Sequence, residues 1–203
     1  MTDLLDEGVI KFNFSLKQTA PLAVDLWADL ERWRLVFFEK RLIGEYPREK
    51  VGYGNLSLKI KEHFIITGTQ TGSLESLDGS HYTQINKCSL SLAKVVASGP
   101  IAPSSETLTH FAIYEANKKI KVVFHIHDNV IWKYMCKNNY DYTSESISYG
   151  TEEMAAEAQR CIGSKNKGIF VMKGHQDGVI AYGEDCESTG ELILDIFKKS
   201  RDQ

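Results

Sequence analysis

The spacing of apolar residues changes along the chain, and each change marks an element. Residues 9–16 (VIKFNFSL) alternate apolar and polar, the period of a half-buried strand. From Pro21 onward, Leu22, Leu26, Leu30, Trp33, Phe37 and Ile43 recur at three- and four-residue steps with a few slips, which predicts one or two amphipathic helices over 21–43. The breaker GEYPREKVGYG follows, then strand-like runs at 56–60 and 63–67, and Gly68, Gly72 and Gly79 punctuate a loop. Helical spacing returns at 105–117, after Pro103, and at 151–162. Strands are expected at 120–127, 168–172 and 179–182, and a closing helix at 189–199 with Leu192, Ile196 and Phe197 inward. Strands and helices are interspersed without repeat or linker, so the expected fold is α/β, a mostly antiparallel central sheet covered by helices. The 203 residues fit one domain spanning 1–203.

Composition narrows the function. A hydrophobic fraction of 42% and a charged fraction of 25% are those of a globular protein and argue against disorder. The formal net charge is −3 and basic residues form no long run, so nucleic acid is not an expected partner. Lys118, Lys119 and Lys121 read as a solvated helix end. The N-terminus carries acidic residues where a secretory leader is basic, and no run approaches the roughly 20 apolar residues of a membrane helix. Cys88, Cys136, Cys161 and Cys186 are widely spaced with no C-x-x-C pair, which fits reduced thiols in the cytoplasm. Asn13 and Asn55 in N-x-[ST] matches are then not glycosylation sites.

The sharpest chemical signal is KVVFHIHD, an apolar strand that offers His125 and His127. Residues two apart on a strand share a face, so both imidazoles can reach one ion. His175 follows another apolar strand, in GHQDG, and either satisfies its turn or supplies a third nitrogen. Three protein ligands leave a position open, the mark of a catalytic rather than a structural metal site. Upstream, PSSE opens a helix with Ser104 or Ser105 as N-cap and Glu106 in its first turn. Glu106 is either an ordinary first-turn charge or an acid/base group facing the ion. His110, four residues on, orients that carboxylate or is simply packed. GYGNLS and TGTQTG lack the elements of a dinucleotide fingerprint and read as turns or as anion-binding loops. There is no P-loop, no nucleophile elbow and no H-E-x-x-H.

In their order these segments resemble the class II aldolase/adducin family from about Trp33 to Gly183. The matching pieces are Gly54-Asn55-Leu56-Ser57, the loop from Thr67 to Gly72, Pro103-Ser104-Ser105-Glu106, His125-Ile126-His127 and His175. The resemblance implies a three-layer fold and one divalent cation per subunit, most often zinc, on His125, His127 and His175. It also implies Glu106 as acid/base, and Asn55, Ser104, Ser105 and the threonine loop (Thr69, or Thr71 with Gly72) holding a phosphate. The implied reaction is aldol cleavage of a sugar phosphate or related hydroxy-carbonyl compound through a metal-stabilised ene-diolate. Epimerase, dehydratase and a non-catalytic adducin-like module remain the alternatives. A homotetramer with shared sites is implied too, with Tyr142 or Tyr149 as candidates to reach a neighbouring site. Two departures stand out: GHQDG replaces the family's Asn-His-Gly, which makes Asp177 a rival ligand, and TGTQTG replaces Thr-Pro-Ser/Thr-Gly.

Overall fold

The computed structural model describes residues 8–202, so the leader reading of residues 1–7 lies outside the described residues. The chain forms β1 (Asn13–Gln18), α1 (Val24–Glu39), the short strands β2 (Gly44–Tyr46) and β3 (Val51–Tyr53), then β4 (Asn55–Ile60) and β5 (His63–Thr67). After a 3-10 turn come β6 (Tyr82–Ser89), β7 (Lys94–Gly99), α2 (Thr107–Ala116), β8 (Val122–His127) and α3 (Asn129–Lys137). β9 (Asp141–Thr143), α4 (Glu152–Ile162), β10 (Gly168–Met172), β11 (Gly178–Gly183) and α5 (Cys186–Lys199) complete it.

Nine strands make one sheet in the order β1-β7-β6-β5-β4-β8-β11-β10-β9. Its pairs are antiparallel except β1 with β7 and β9 with β10. Apolar clusters lie on both faces. One joins Leu30, Trp33 and Phe37 of α1, Ile131 and Met135 of α3, and Ile193 and Ile196 of α5 to Val122, Phe124 and Ile126. The other joins Leu108 and Ile113 of α2 and Met154, Ala158 and Ile162 of α4 to Val123, Phe170 and Ile180. The result is the expected three-layer α/β architecture, a mostly antiparallel sheet between helices.

Several element boundaries differ from the sequence reading for physical reasons. The first strand starts at Asn13, because the preceding residues leave the sheet: Val9 N–H donates to the Tyr149 hydroxyl, while Phe12 turns into the core. Helix α1 starts at Val24, since Leu22 N–H is bonded to Gly79 O and Ala23 is extended. It stops at Glu39, where Arg41 turns into the left-handed region (φ 59°) and Leu42 N–H caps Phe37 O. Helix α5 starts earlier than expected, at Cys186, because Asp185 accepts from Ser188 N–H as its cap. Lys118 and Lys119 lie exposed just beyond the end of α2. All four cysteines are unbridged. Among the described residues no helix is long and apolar enough to cross a membrane.

Candidate metal centre and anion pocket

Strand β8 is buried over all six residues, and its alternation sorts two kinds of side chain. Val122, Phe124 and Ile126 face the α1/α3/α5 layer, and His125 and His127 share the opposite face with Val123. The neighbouring β11 runs antiparallel with Gly178 opposite His127 and Ile180 opposite His125. The turn into β11 places His175 against both, with ring centroids 5.3 Å from His125 and 4.7 Å from His127. Gly178 makes this approach possible: a Cβ there would stand 2.5 Å from His175 Cδ2 and 3.2 Å from His125 Cε1.

The ring nitrogens are arranged for an ion. His125 Nδ1 lies 3.3 Å from Val179 O, an acceptor only, so Nδ1 carries the proton and Nε2 a lone pair. His127 Nδ1 meets the Tyr46 hydroxyl at 2.9 Å, which leaves its Nε2 facing His125 Nε2 at 3.0 Å. Burial holds the His125 pKa down to about 4 and those of His127 and His175 well below the ordinary value, so all three are neutral at pH 7. One nitrogen from each lies within 4.8 Å of the others. Tetrahedral zinc with nitrogen at about 2.0–2.1 Å spaces its ligands roughly 3.3 Å apart, so these residues fit such an ion after small rotations. Asp177 is not in the cluster. It sits in the turn at φ 66°, accepting from Asn129 Nδ2 at 2.6 Å.

Glu106 occupies the N-cap of α2, where Ser104 or Ser105 was expected, and its side chain makes no capping bond. Ser104 Oγ instead accepts from Glu106 N–H at 3.3 Å. The carboxyl is 1% exposed, both its oxygens lack a hydrogen-bond partner, and Oε1 lies 4.0 Å from His175 Nε2. Burial raises its pKa to about 7, tempered by the facing Thr109 hydroxyl, which falls short of hydrogen-bonding geometry, and by Lys11. His110 does not orient it. Its Nδ1 meets Ser57 Oγ at 2.7 Å, and Ser57 meets the Tyr114 hydroxyl at 2.6 Å, a buried polar network beneath the site.

Asn55, Thr69, Thr71, Gly72, Ser104 and Ser105 all line one small polar pocket, together with Gln70 and the glycines 8, 52, 54 and 68. Both readings of the threonine loop therefore converge there. The pocket volume is about 20 Å³, room for little more than a water. Gln70 narrows it, since its Oε1 accepts from Gly52 N–H at 2.8 Å. Asn55 stands opposite His125 across the β4–β8 pairing, which joins the pocket to the histidine cluster. A groove of about 850 Å³ lies alongside, where Tyr53 forms part of the wall and packs its ring 5.4 Å from that of His127.

Four site residues escaped the sequence reading of the centre. Tyr46 and Tyr53 arrive on a three-residue hairpin too short for a period, and Gln70 resembles any loop residue. Lys11 sits in what read as a strand. Tyr149 packs on His175 of its own chain (centroids 4.7 Å), while Tyr142 is exposed beside Lys173.

The fold has many relatives. YgbL of Escherichia coli, a candidate aldolase, epimerase or decarboxylase, superposes with a TM-score of 0.64 at 18% identity over 87% of each chain. L-fuculose-1-phosphate aldolase of Thermus thermophilus gives 0.59 at 19% identity, again over 87% of each. The sugar-phosphate aldolase of Thermotoga maritima gives 0.66 at 16% identity over 88% of this chain and 93% of its own. No curated protein shows significant sequence similarity. Residues 40–196, which carry the histidine cluster, Glu106 and the pocket loops of β4, β5 and α2, match the class II aldolase and adducin N-terminal domain model, and the chain belongs to that family.

Proposed function

We propose that the protein is a metal-dependent lyase that cleaves a carbon–carbon bond in a sugar phosphate or related hydroxy-carbonyl compound. His125, His127 and His175 would hold one divalent cation, and three neutral imidazoles favour zinc. The bound ion would supply a Lewis acid for neighbouring substrate oxygens. The observation that carries the reading is Glu106, a carboxyl buried without a hydrogen-bond partner beside a histidine cluster. A group with a pKa of about 7 is half-protonated at neutral pH, so it can take a proton from a substrate hydroxyl and return one to carbon. Its burial also excludes the water that would otherwise exchange those protons. Epimerase and dehydratase reactions need the same base and the same ion, and one fold relative, YgbL of Escherichia coli, is itself a candidate aldolase, epimerase or decarboxylase.

The pocket beside Asn55 would take the substrate's anionic end. With about 20 Å³ available, the anion enters by displacing the Gln70 carboxamide from Gly52 N–H. A cytoplasmic homotetramer is part of the same proposal. Elemental analysis of the purified protein, its mass in solution, and a screen of sugar phosphates with their unphosphorylated analogues for cleavage or isomerisation test it. One equivalent of metal with aldehyde release is the expected result; a metal-free protein would sink it.

A further inference from the structure

The stretch from Gly8 to Phe12 lies before the first strand and outside the family match at 40–196, yet it crosses the candidate site. Three contacts hold it there. Phe12 is buried in the cluster beneath α2 and α4, Val9 N–H donates to the Tyr149 hydroxyl at 3.0 Å, and Gly8 O accepts from Gln70 Nε2 at 3.4 Å. Gly8 thus lines the anion pocket while Tyr149 packs on His175, so the stretch spans both halves of the site.

Between those anchors Lys11 turns toward the centre. Its Nζ stands 4.0 Å from the centroid of the Tyr149 ring, which also packs on the His175 ring at 4.7 Å. Its stem runs along Gly150, where a Cβ would come 3.9 Å from Lys11 Cδ and 3.1 Å from Ser105 O. The same ammonium acts electrostatically on both Glu106 and His175. No basic side chain lines the anion pocket among the described residues, and Lys11 is a cation that these contacts bring toward the histidine cluster.

Resting on the proposed function, we infer that Lys11 is a substrate-contacting residue whose ammonium binds an anionic oxygen of the substrate beside the histidine cluster. The segment 8–12 serves to deliver it. The chemistry it selects is a hydroxy-carbonyl compound carrying negative charge next to the atoms that face the ion. Glycolate is a minimal probe, with a hydroxyl and a carboxylate on adjacent carbons.

The test uses wild type, Lys11→Met and Lys11→Arg, each titrated first with Co²⁺ and then, metal-loaded, with glycolate by calorimetry. The expected result is unchanged Co²⁺ affinity in all three. Glycolate binding should weaken roughly 10- to 100-fold in the Met variant, the size of one charge-assisted hydrogen bond, and recover largely in the Arg variant. The inference is overturned if the Met variant binds glycolate like wild type, or if loaded wild type binds none. It is also overturned if the Met variant loses Co²⁺ affinity in parallel, which would make Lys11 a brace for the centre. A wild type that takes up no Co²⁺ fails at the first titration and removes the metal-centre reading itself, and this inference with it.

Discussion

The histidine cluster and the anion pocket adjoin where Asn55 faces His125, yet they are held in different ways. The cluster sits on a fully buried strand and the turn into its neighbour, with each ring set by packing, a backbone carbonyl or a tyrosine hydroxyl. The pocket is built from loops, and its shape depends on residues far away in sequence. Arg34 of α1 is 1% exposed and donates to the carbonyls of Thr71 (3.3 Å), Leu74 and Glu75 (3.1 Å). Glu31 accepts from Leu77 N–H at 2.7 Å and from the Tyr82 hydroxyl at 2.8 Å, and lies 3.5 Å from Arg34. A buried ion pair thus ties the segment after Gly68 to the helix, and a rigid centre is coupled to a tunable specificity element.

The largest expected effect separates the two regions outright. His125→Ala, His127→Ala and His175→Ala should each lose nearly all bound metal and keep the fold, whereas Asp177→Ala should keep its metal, because Asp177 is engaged with Asn129. Elemental analysis after dialysis decides it, and a His175 variant that holds its metal would transfer the third position elsewhere. Next in size is Glu106→Gln, which preserves shape but cannot exchange protons. Turnover should fall roughly 10²- to 10⁴-fold with metal content unchanged. A first-turn electrostatic role would instead cost about 0.3–1 kcal/mol of stability and leave turnover near normal.

Arg34→Met attacks only the pocket. It leaves Glu31 buried without its cation and three loop carbonyls without the guanidinium donor, so denaturant unfolding should show a loss of about 3–5 kcal/mol. Phosphate affinity should drop while metal affinity in the folded protein holds. Equal losses of both would mean that the two regions are one cooperative unit.

The same contrast explains what could be read from the chain. His125 and His127 were legible because a strand's two-residue period forces them onto one face, and β8 is among the most apolar runs. Strands β5 and β10 fell on the residues expected, since their runs are apolar and bounded by turns. The β6–β7 hairpin was missed because TQINKCS is polar on its outer face and bulged between Ile85 and Lys87. Helix α3 follows a strand with only Asp128 as its cap, and its short stretch NVIWKYMCK carries few inward positions. Residues 9–16 do alternate, but Phe12 serves a crossing segment rather than a sheet edge. The Glu31–Arg34 pair leaves no local trace, because its partners lie some 40 residues further on.

The smallest effect sets the two regions against each other through pH in the metal-free protein. His125 is held at about 4 against an ordinary 6.5, and His110, His127 and His175 are depressed as well, all chiefly by burial. The unfolded chain therefore binds more protons below pH 6.5, and stability present above that value is lost as pH falls toward 4, on the order of 3 kcal/mol for His125 alone. Glu106 works in the opposite sense. Its folded pKa of about 7 exceeds the ordinary 4.5, so the folded state binds the extra proton, and that stability is fully present below 4.5 and lost as pH rises through 7. Between pH 6.5 and 8 Glu106 removes roughly 1 kcal/mol, while each depressed histidine still adds about 0.4 kcal/mol as its unfolded counterpart loses its last protons. Denaturant unfolding of chelator-treated protein across pH 5 to 8 should show stability that rises steeply from acid and flattens above about pH 7, where the Glu106 decline offsets part of the histidine gain. Glu106→Gln has no proton to lose, so it should remove this opposing trend and steepen the rise from pH 5 to 8 by roughly 2–3 kcal/mol. A variant profile that runs parallel to that of wild type across this range would return Glu106 to an ordinary carboxylate pKa.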